Sequence, residues 1–178
     1  MGKVFATVLA SLMALSLMTA GAAAEDEEPI KAFSAWNARG QIFDTGENRM
    51  TFVGSFSGIV YVDQAYGPID AGYMICPTVL DINTVDGKEQ AKGRCTITAK
   101  DGARLYADFT CDGVRKVGCA GDFTLTGGTE RFKGITGGGP VTIRSSIEDM
   151  AAGGGNIIEG VAAGIIVWPK LTYKLAVQ

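Results

Sequence analysis

The chain has 178 residues, of which 47% are hydrophobic and 20% are charged, and its formal net charge at pH 7 is −3. Binding to a nucleic-acid backbone requires a clustered basic surface, so nucleic acid is not expected as a partner. The sequence contains no histidine, which excludes a Ser-His-Asp or Cys-His nucleophilic arrangement and removes the commonest metal ligand. We therefore predict no metal site and no cofactor.

The first 24 residues have the features of a secretory signal peptide. Lys3 supplies a positive charge, an apolar run covers residues 4–18, and the small residues that follow end in the cleavage pattern Ala22-x-Ala24. The alternative is an N-terminal membrane anchor, but the run is shorter than the roughly 20 residues that span a bilayer. The prediction is a periplasmic or secreted protein with one domain at 25–178 and no integral membrane span after processing.

Beyond the leader, the dominant hydrophobic period is two, and glycine-rich or Asp-Gly turns separate the runs. The predicted strands are 32–39, 50–62, 72–81, 94–100, 103–110, 121–126, 141–147, 156–167 and 171–177. No segment of ten or more residues shows a helical stripe. About eight strands without helical crossovers indicate an all-β domain, an antiparallel barrel or sandwich.

Three of these strands carry further information. In 50–62 the glycines Gly54 and Gly58 fall on the apolar face, which favours a bend, a close approach or an open interior. Asp101-Gly102 is the pair that a two-residue type I′ hairpin prefers. The apolar runs on either side of Trp168-Pro169 are interpreted as two core strands joined at a bend.

The sequence contains four cysteines, Cys76, Cys95, Cys111 and Cys119. An even number of cysteines in an exported chain favours two disulfides. Three connectivities are open, of which sequential pairing closes the shortest loops. The alternative is a four-cysteine zinc site. The spacings of 18, 15 and 7 intervening residues contain no C-x₂₋₄-C knuckle, which argues against zinc.

The stretch GGTERFKGITGGG at 127–139 combines six glycines with two cations. A phosphate-binding P-loop has Ser or Thr after its Gly-Lys pair, and a dinucleotide fingerprint has the spacing G-x-G-x-x-G before a helix. Neither is present. We interpret Gly127, Gly128 and Gly134 as turn residues that supply positive φ and close backbone approach, and Phe132 as a plug for one end of a barrel.

The segment GDFTLTGGTERFKGITGGGPV at 121–141 resembles the pattern of bacterial secreted proteins of the allene oxide cyclase-like barrel group, and plant dirigent proteins share this calycin-type barrel class. Glu130 stands where dirigent-like chains usually carry glycine. The resemblance implies a single antiparallel barrel of about eight strands, whose interior can hold one small ligand. It implies no catalytic residue that can be placed on this chain.

Two tyrosine–carboxylate pairs are candidates for ligand contact. Asp108 lies two positions from Tyr106 on the same strand face, and Asp63 follows Tyr61 in the same way. An inward carboxylate would have a raised pKa and could act as a general acid beside a tyrosine. The alternative, favoured by the apolar pattern of 105, 107 and 109, is that both acids face solvent. The predicted ligand-binding residues are Tyr61, Tyr106 and Asp108, and no catalytic residue is assigned.

Three functions remain open from the sequence. The first, which we favour, is an exported barrel that binds a small apolar or amphipathic molecule. The second is a cofactor-free isomerase or cyclase that uses the same cavity. The third is a structural barrel with a filled core, which forms a homo-oligomer through its apolar C-terminal strands.

Overall fold

The computed structural model describes residues 29–152 and 157–176, so the leader predicted at 1–24 lies outside the described residues. Eight antiparallel strands form a closed barrel in which each strand pairs with its neighbours along the chain and the last strand pairs with the first. The strands are β1 Ile30–Gly46, β2 Arg49–Val62, β3 Ile69–Asn83, β4 Lys88–Thr98, β5 Arg104–Val114, β6 Gly118–Gly128, β7 Thr136–Ala152 and β8 Ile157–Lys174. The predicted all-β barrel is confirmed.

The described part of the chain has one helical element, the 3₁₀ turn Glu130–Phe132 between β6 and β7. No described helix is long and apolar enough to cross a membrane. The 3₁₀ turn lies at the same end of the barrel as the β2–β3 and β4–β5 loops, and we call this end the 3₁₀ end. The β1–β2, β3–β4 and β5–β6 turns lie at the other end, which we call the hairpin end.

The period of two along the strands decides which side chains face the interior. In β1, residues Ala32, Ser34, Trp36 and Ala38 are buried, whereas the residues between them are exposed or half-buried. Aromatic rings pack across the interior, with Phe56 between Trp36 and Phe109 at centroid distances of 5.9 and 5.5 Å. Alternation of this kind is what a half-buried strand requires, and closure of the barrel leaves no sheet edge unpaired.

Both disulfides are inside the barrel. Cys76 pairs with Cys95 between β3 and β4, and Cys111 pairs with Cys119 between β5 and β6. All four residues are at most 5% exposed, and none is a free cysteine. Sequential pairing is therefore the connectivity, and the zinc alternative fails because no thiolate is left to coordinate a metal.

The prediction of two C-terminal strands joined at a bend is wrong, because β8 runs without interruption through Trp168 and Pro169. At this point the pairing register of β8 shifts against both neighbouring strands. The shift lies between Ile30 and Ala32 of β1 and between Gly138 and Thr142 of β7. A bulge accommodates a proline since its missing N–H is not needed in the ladder there. The Trp-Pro pair lies within one strand and does not end it.

The β4–β5 hairpin is present, but its turn differs from the predicted two-residue type. The Gly102 N–H donates to the Ala99 carbonyl and the Ala99 N–H to the Ala103 carbonyl, both at 2.9 Å. A type I′ turn requires positive φ at both central residues. Gly102 has φ +84°, but Asp101 is not among the described residues with positive φ. The loop is therefore Lys100-Asp101-Gly102, and the Asp101 carboxylate accepts the Ala103 N–H at 3.1 Å.

The inward glycines of β2 do not make the interior open. Gly54 faces Gly40 of β1, and a β-carbon on either residue would lie within 2.6 Å of the Phe52 ring. A β-carbon on Gly58 would lie 2.1 Å from the Ala35 carbonyl oxygen. These glycines allow close packing, and the Phe52 ring fills the space that the Gly40–Gly54 pair provides.

Candidate functional site

A cavity of about 390 Å³ lies inside the 3₁₀ end, and we call it the larger cavity. Its lining comes from the ends of seven strands and from the 3₁₀ segment and is almost entirely aliphatic or aromatic. The lining residues are Ile30, Ala32, Val60, Val62, Gln64, Ile69, Ala71, Ile97, Ala99, Leu105, Phe123, Leu125, Arg131, Phe132, Ile135, Trp168, Leu171, Tyr173 and Leu175. Small-molecule sites commonly have this volume and this apolar character.

Trp168 provides a buried polar group in the wall of this cavity. The residue is 1% exposed, and its ring packs edge-on against Phe123 with centroids 5.2 Å apart. Its indole N–H has no hydrogen-bond acceptor among the described residues. Buried tryptophan N–H groups usually find a partner, because leaving such a donor unpaired costs roughly 1–3 kcal/mol. A ligand acceptor that reached this N–H would remove that cost.

Arg131 places a positive charge at the rim of the larger cavity. Its guanidinium forms an ion pair with Asp101 of the β4–β5 loop and lies 4.6 Å from the centre of the Phe132 ring. Both partners of the ion pair are about half exposed, so solvent screens the interaction. The cation thus joins two loops of the 3₁₀ end and covers an aromatic ring.

The glycine-rich stretch 127–139 builds the cap of this end. Gly127, Gly134, Gly137 and Gly138 have φ values between +74° and +155°, a region where glycine is the default residue. A β-carbon on Gly128 would meet Phe132 at 2.5 Å. The structural roles predicted for Gly127, Gly128 and Gly134 agree with this geometry.

The plug itself is made by two residues. Phe132 is half-buried and packs against the core cluster, whereas Ile135 is 2% exposed and belongs to that cluster. Thr129 fixes the segment to β5, since its N–H donates to the Arg104 carbonyl at 2.8 Å and its hydroxyl accepts the Arg104 N–H at 2.9 Å. Sequence reasoning identified Phe132 but missed Ile135, for which the apolar neighbour pattern Phe-x-x-Ile was the available signal.

A smaller cavity of about 130 Å³ lies at the hairpin end. Its walls include aromatic side chains, aliphatic side chains and the half-buried charged residues Glu89 and Arg115. No residue lines both cavities. These two cavities are therefore separate spaces inside the barrel.

The predicted ligand-binding residues Tyr61, Tyr106 and Asp108 lie on the outer face of the barrel, and none of them lines either cavity. Tyr61 stacks on the outward ring of Phe33 at 5.4 Å. Asp108 is half exposed and forms an ion pair with Arg94 at 3.6 Å. The structure places all three outside both cavities, with Tyr106 and Asp108 on the same outward face of β5.

Asp63 is likewise exposed. A carboxyl group with a clearly perturbed pKa lies in the β3–β4 turn, where the backbone N–H and the ammonium of Lys88 lower the pKa of the exposed Asp86. This turn capping is a local structural feature. Among the side chains that the structure describes, no group of three or more acidic or cysteine residues could hold a metal ion.

The fold and the cavities define a closed eight-stranded antiparallel barrel with an apolar interior space at each end. Comparison of the chain with models of protein families, with curated proteins and with solved structures gives no match.

Proposed function

We propose that this protein binds one small, uncharged amphipathic molecule in the larger cavity, with the apolar part inside the barrel and an acceptor atom on the indole N–H of Trp168. The observation that carries the proposal is the combination of an apolar space of about 390 Å³ with a donor that is 1% exposed and has no described acceptor. A barrel with eight strands is just wide enough to enclose one small ligand.

The composition of the wall favours an uncharged ligand. Arg131 is the one charged residue of the described lining, and Asp101 already balances its charge. Transfer of an ion into an apolar space without a paired countercharge costs much more than transfer of an amide or a hydroxyl. An apolar molecule with one carbonyl, ether or hydroxyl oxygen fits this environment best.

We also propose that the protein is exported and belongs to the allene oxide cyclase-like barrel group. The two interior disulfides support export, since such bonds persist in oxidising compartments. The motif at 121–141 supports the family, and its glycines occupy turn and close-packing positions in the barrel. Purification from the periplasm of the native cells, followed by intact-mass measurement, tests export, because a processed chain would begin near Glu25.

Energy transfer to a fluorescent probe tests ligand binding. Trp36 and Trp168 are the two tryptophans of the chain and line different cavities. In the variant Trp36→Phe, Trp168 is the sole tryptophan donor for the neutral ketone 6-propionyl-2-dimethylaminonaphthalene. We expect saturable energy transfer from Trp168 to this probe.

Two matched variants make the test specific. Ala71→Leu places extra side-chain volume in the larger cavity, and Ala162→Leu does the same in the smaller one. Energy transfer from Trp168 should be lost in the first variant and retained in the second, with circular dichroism showing that both fold. Absence of saturable transfer, or transfer that is unchanged by Ala71→Leu, would overturn the proposal.

A further inference from the structure

A layer of buried side chains separates the two cavities. Its members come from β1, β3, β4, β5, β7 and β8, are at most 2% exposed and line neither cavity; we call it the partition. The partition consists of Ser34, Met74, Cys76, Cys95, Ala107, Val141 and Ile166. Because interiors pack densely and the Cys76–Cys95 bond fixes one side of the layer, a molecule in one cavity does not extend into the other.

The smaller cavity has the size of a single aromatic ring. Its volume is about 130 Å³, and an apolar protein cavity of about 150 Å³ can bind benzene. The rings of Trp36, Phe56 and Phe109 form part of its wall, and Phe56 contacts Trp36 in tilted and Phe109 in edge-on geometry. Aromatic rings favour such offset and edge-on contacts, so these walls suit a flat aromatic guest.

Trp36 gives this cavity its own hydrogen-bond donor. The residue is 6% exposed, and its indole N–H has no acceptor among the described residues. Gly164 of β8 leaves room for the Trp36 ring, since a β-carbon there would lie 2.8 Å from its Cζ2 atom. The hydroxyl of Thr78, also in the wall, already donates to the Cys76 carbonyl at 2.9 Å. Of these two donors, only the indole N–H is without a partner among the described residues.

We propose that the smaller cavity is a second ligand site, independent of the larger one, which takes a monocyclic aromatic molecule with one hydrogen-bond acceptor, of the size and chemistry of a phenol. The guest's oxygen accepts the Trp36 indole N–H, and its ring lies against the aromatic wall. Glu89 and Arg115 bring charges of both signs to this cavity, so the site gives no net preference for an anionic or cationic guest.

Nuclear magnetic resonance of the two indole N–H groups tests this assignment. A ¹⁵N-labelled sample gives one indole signal each for Trp36 and Trp168, and the variants Trp36→Phe and Trp168→Phe assign them. Titration with phenol should move the Trp36 signal along a saturation curve. Toluene, which has nearly the same shape but no acceptor, should not give the downfield shift of the Trp36 indole proton that a hydrogen bond to phenol gives.

Cavity-filling variants locate the effect. Ala162→Leu should abolish the phenol response of Trp36, and Ala71→Leu, which fills the larger cavity, should leave it intact. If Ala162→Leu does not fold, Ala91→Leu fills the same cavity from β4. A Trp36 signal that does not move or moves without saturation, the same shift with phenol and with toluene, or a response that survives filling of the smaller cavity would overturn the proposal.

Discussion

Gly128 and Phe132 are in such close contact that a β-carbon on residue 128 would lie 2.5 Å from the Phe132 Cβ and 2.8 Å from its carbonyl oxygen. Gly128 ends β6, and Phe132 ends the 3₁₀ turn that follows. The absence of a side chain at 128 thus allows the chain to fold back against its own strand and close the 3₁₀ end of the barrel.

Replacement of this glycine tests the contact. Gly128→Ala should lower the free energy of unfolding by about 1–3 kcal/mol, the range for an inserted methyl group that well-packed surroundings cannot accommodate. Equilibrium denaturation in urea measures the change. Thr126→Ala is the control, because Thr126 is exposed and substitutions of this kind usually stay within about 0.5 kcal/mol. Equal stability of the two variants would show that the 3₁₀ turn moves freely to make room.

Period-two alternation was sufficient to predict an antiparallel barrel or sandwich, because every strand has one face inside and one outside, and the resemblance at 121–141 selected the barrel. The same pattern placed Leu105, Ala107 and Phe109 inside, and correctly favoured an outward Asp108 over a ligand-binding one. The alternation did not predict that β8 continues past Pro169. Whether a strand tolerates a proline depends on register shifts in its pairing with the neighbouring strands.

The candidate sites were harder to predict than the fold. Trp36 and Trp168 lie on inward faces that the sequence pattern does show, but an unpaired indole N–H is a property of three-dimensional surroundings. The partition depends on which side chains from six strands meet at one level of the barrel. That level is set by strand register, and no local motif encodes it.

The plug of the 3₁₀ end should depend more on Ile135 than on Phe132. Ile135 is 2% exposed and Phe132 is half-buried, so truncation of Ile135 leaves the better-enclosed void. Ile135→Ala should cost about 2–5 kcal/mol of unfolding free energy, and Phe132→Ala should cost less because part of its ring is already in water. Urea denaturation of both variants gives the ranking, and a larger loss for Phe132→Ala would make Phe132 the main plug.

Substitutions at Gly102 in the β4–β5 hairpin should change the stability of the protein through backbone conformation alone. Gly102 has φ +84°, and a β-carbon there would meet no atom within 4 Å. Gly102→Val should therefore destabilise the protein by about 1–2 kcal/mol through its unfavourable left-handed conformation. Gly102→Asn should be better tolerated, since asparagine visits that region more readily. Thermal melts compare the two, and identical melting temperatures would contradict the three-residue turn.

Arg131 is predicted to hold two loops together and not to bind an anion. Its ion pair with Asp101 is about half exposed, so Arg131→Ala should cost no more than about 1 kcal/mol. Calorimetric titration of the unmodified protein with phosphate or ATP should give no binding heat. Lys133→Ala, at a neighbouring exposed position, is the matched control. Anion binding that disappears with Arg131 would restore the phosphate interpretation of 127–139.

The two disulfides should contribute separately to stability. Their sequence separations are 19 residues for Cys76–Cys95 and 8 residues for Cys111–Cys119, and loop-closure entropy assigns them about 3 and 2.5 kcal/mol. Each pairwise replacement by alanine should lower the urea midpoint, and reduction should lower it further than either replacement alone. Thiol labelling of the denatured, unreduced protein is the control and should give no signal. Modification at two or more sites would show that a disulfide is absent. A urea midpoint unaffected by one replacement would show that the disulfide concerned does not stabilise the fold.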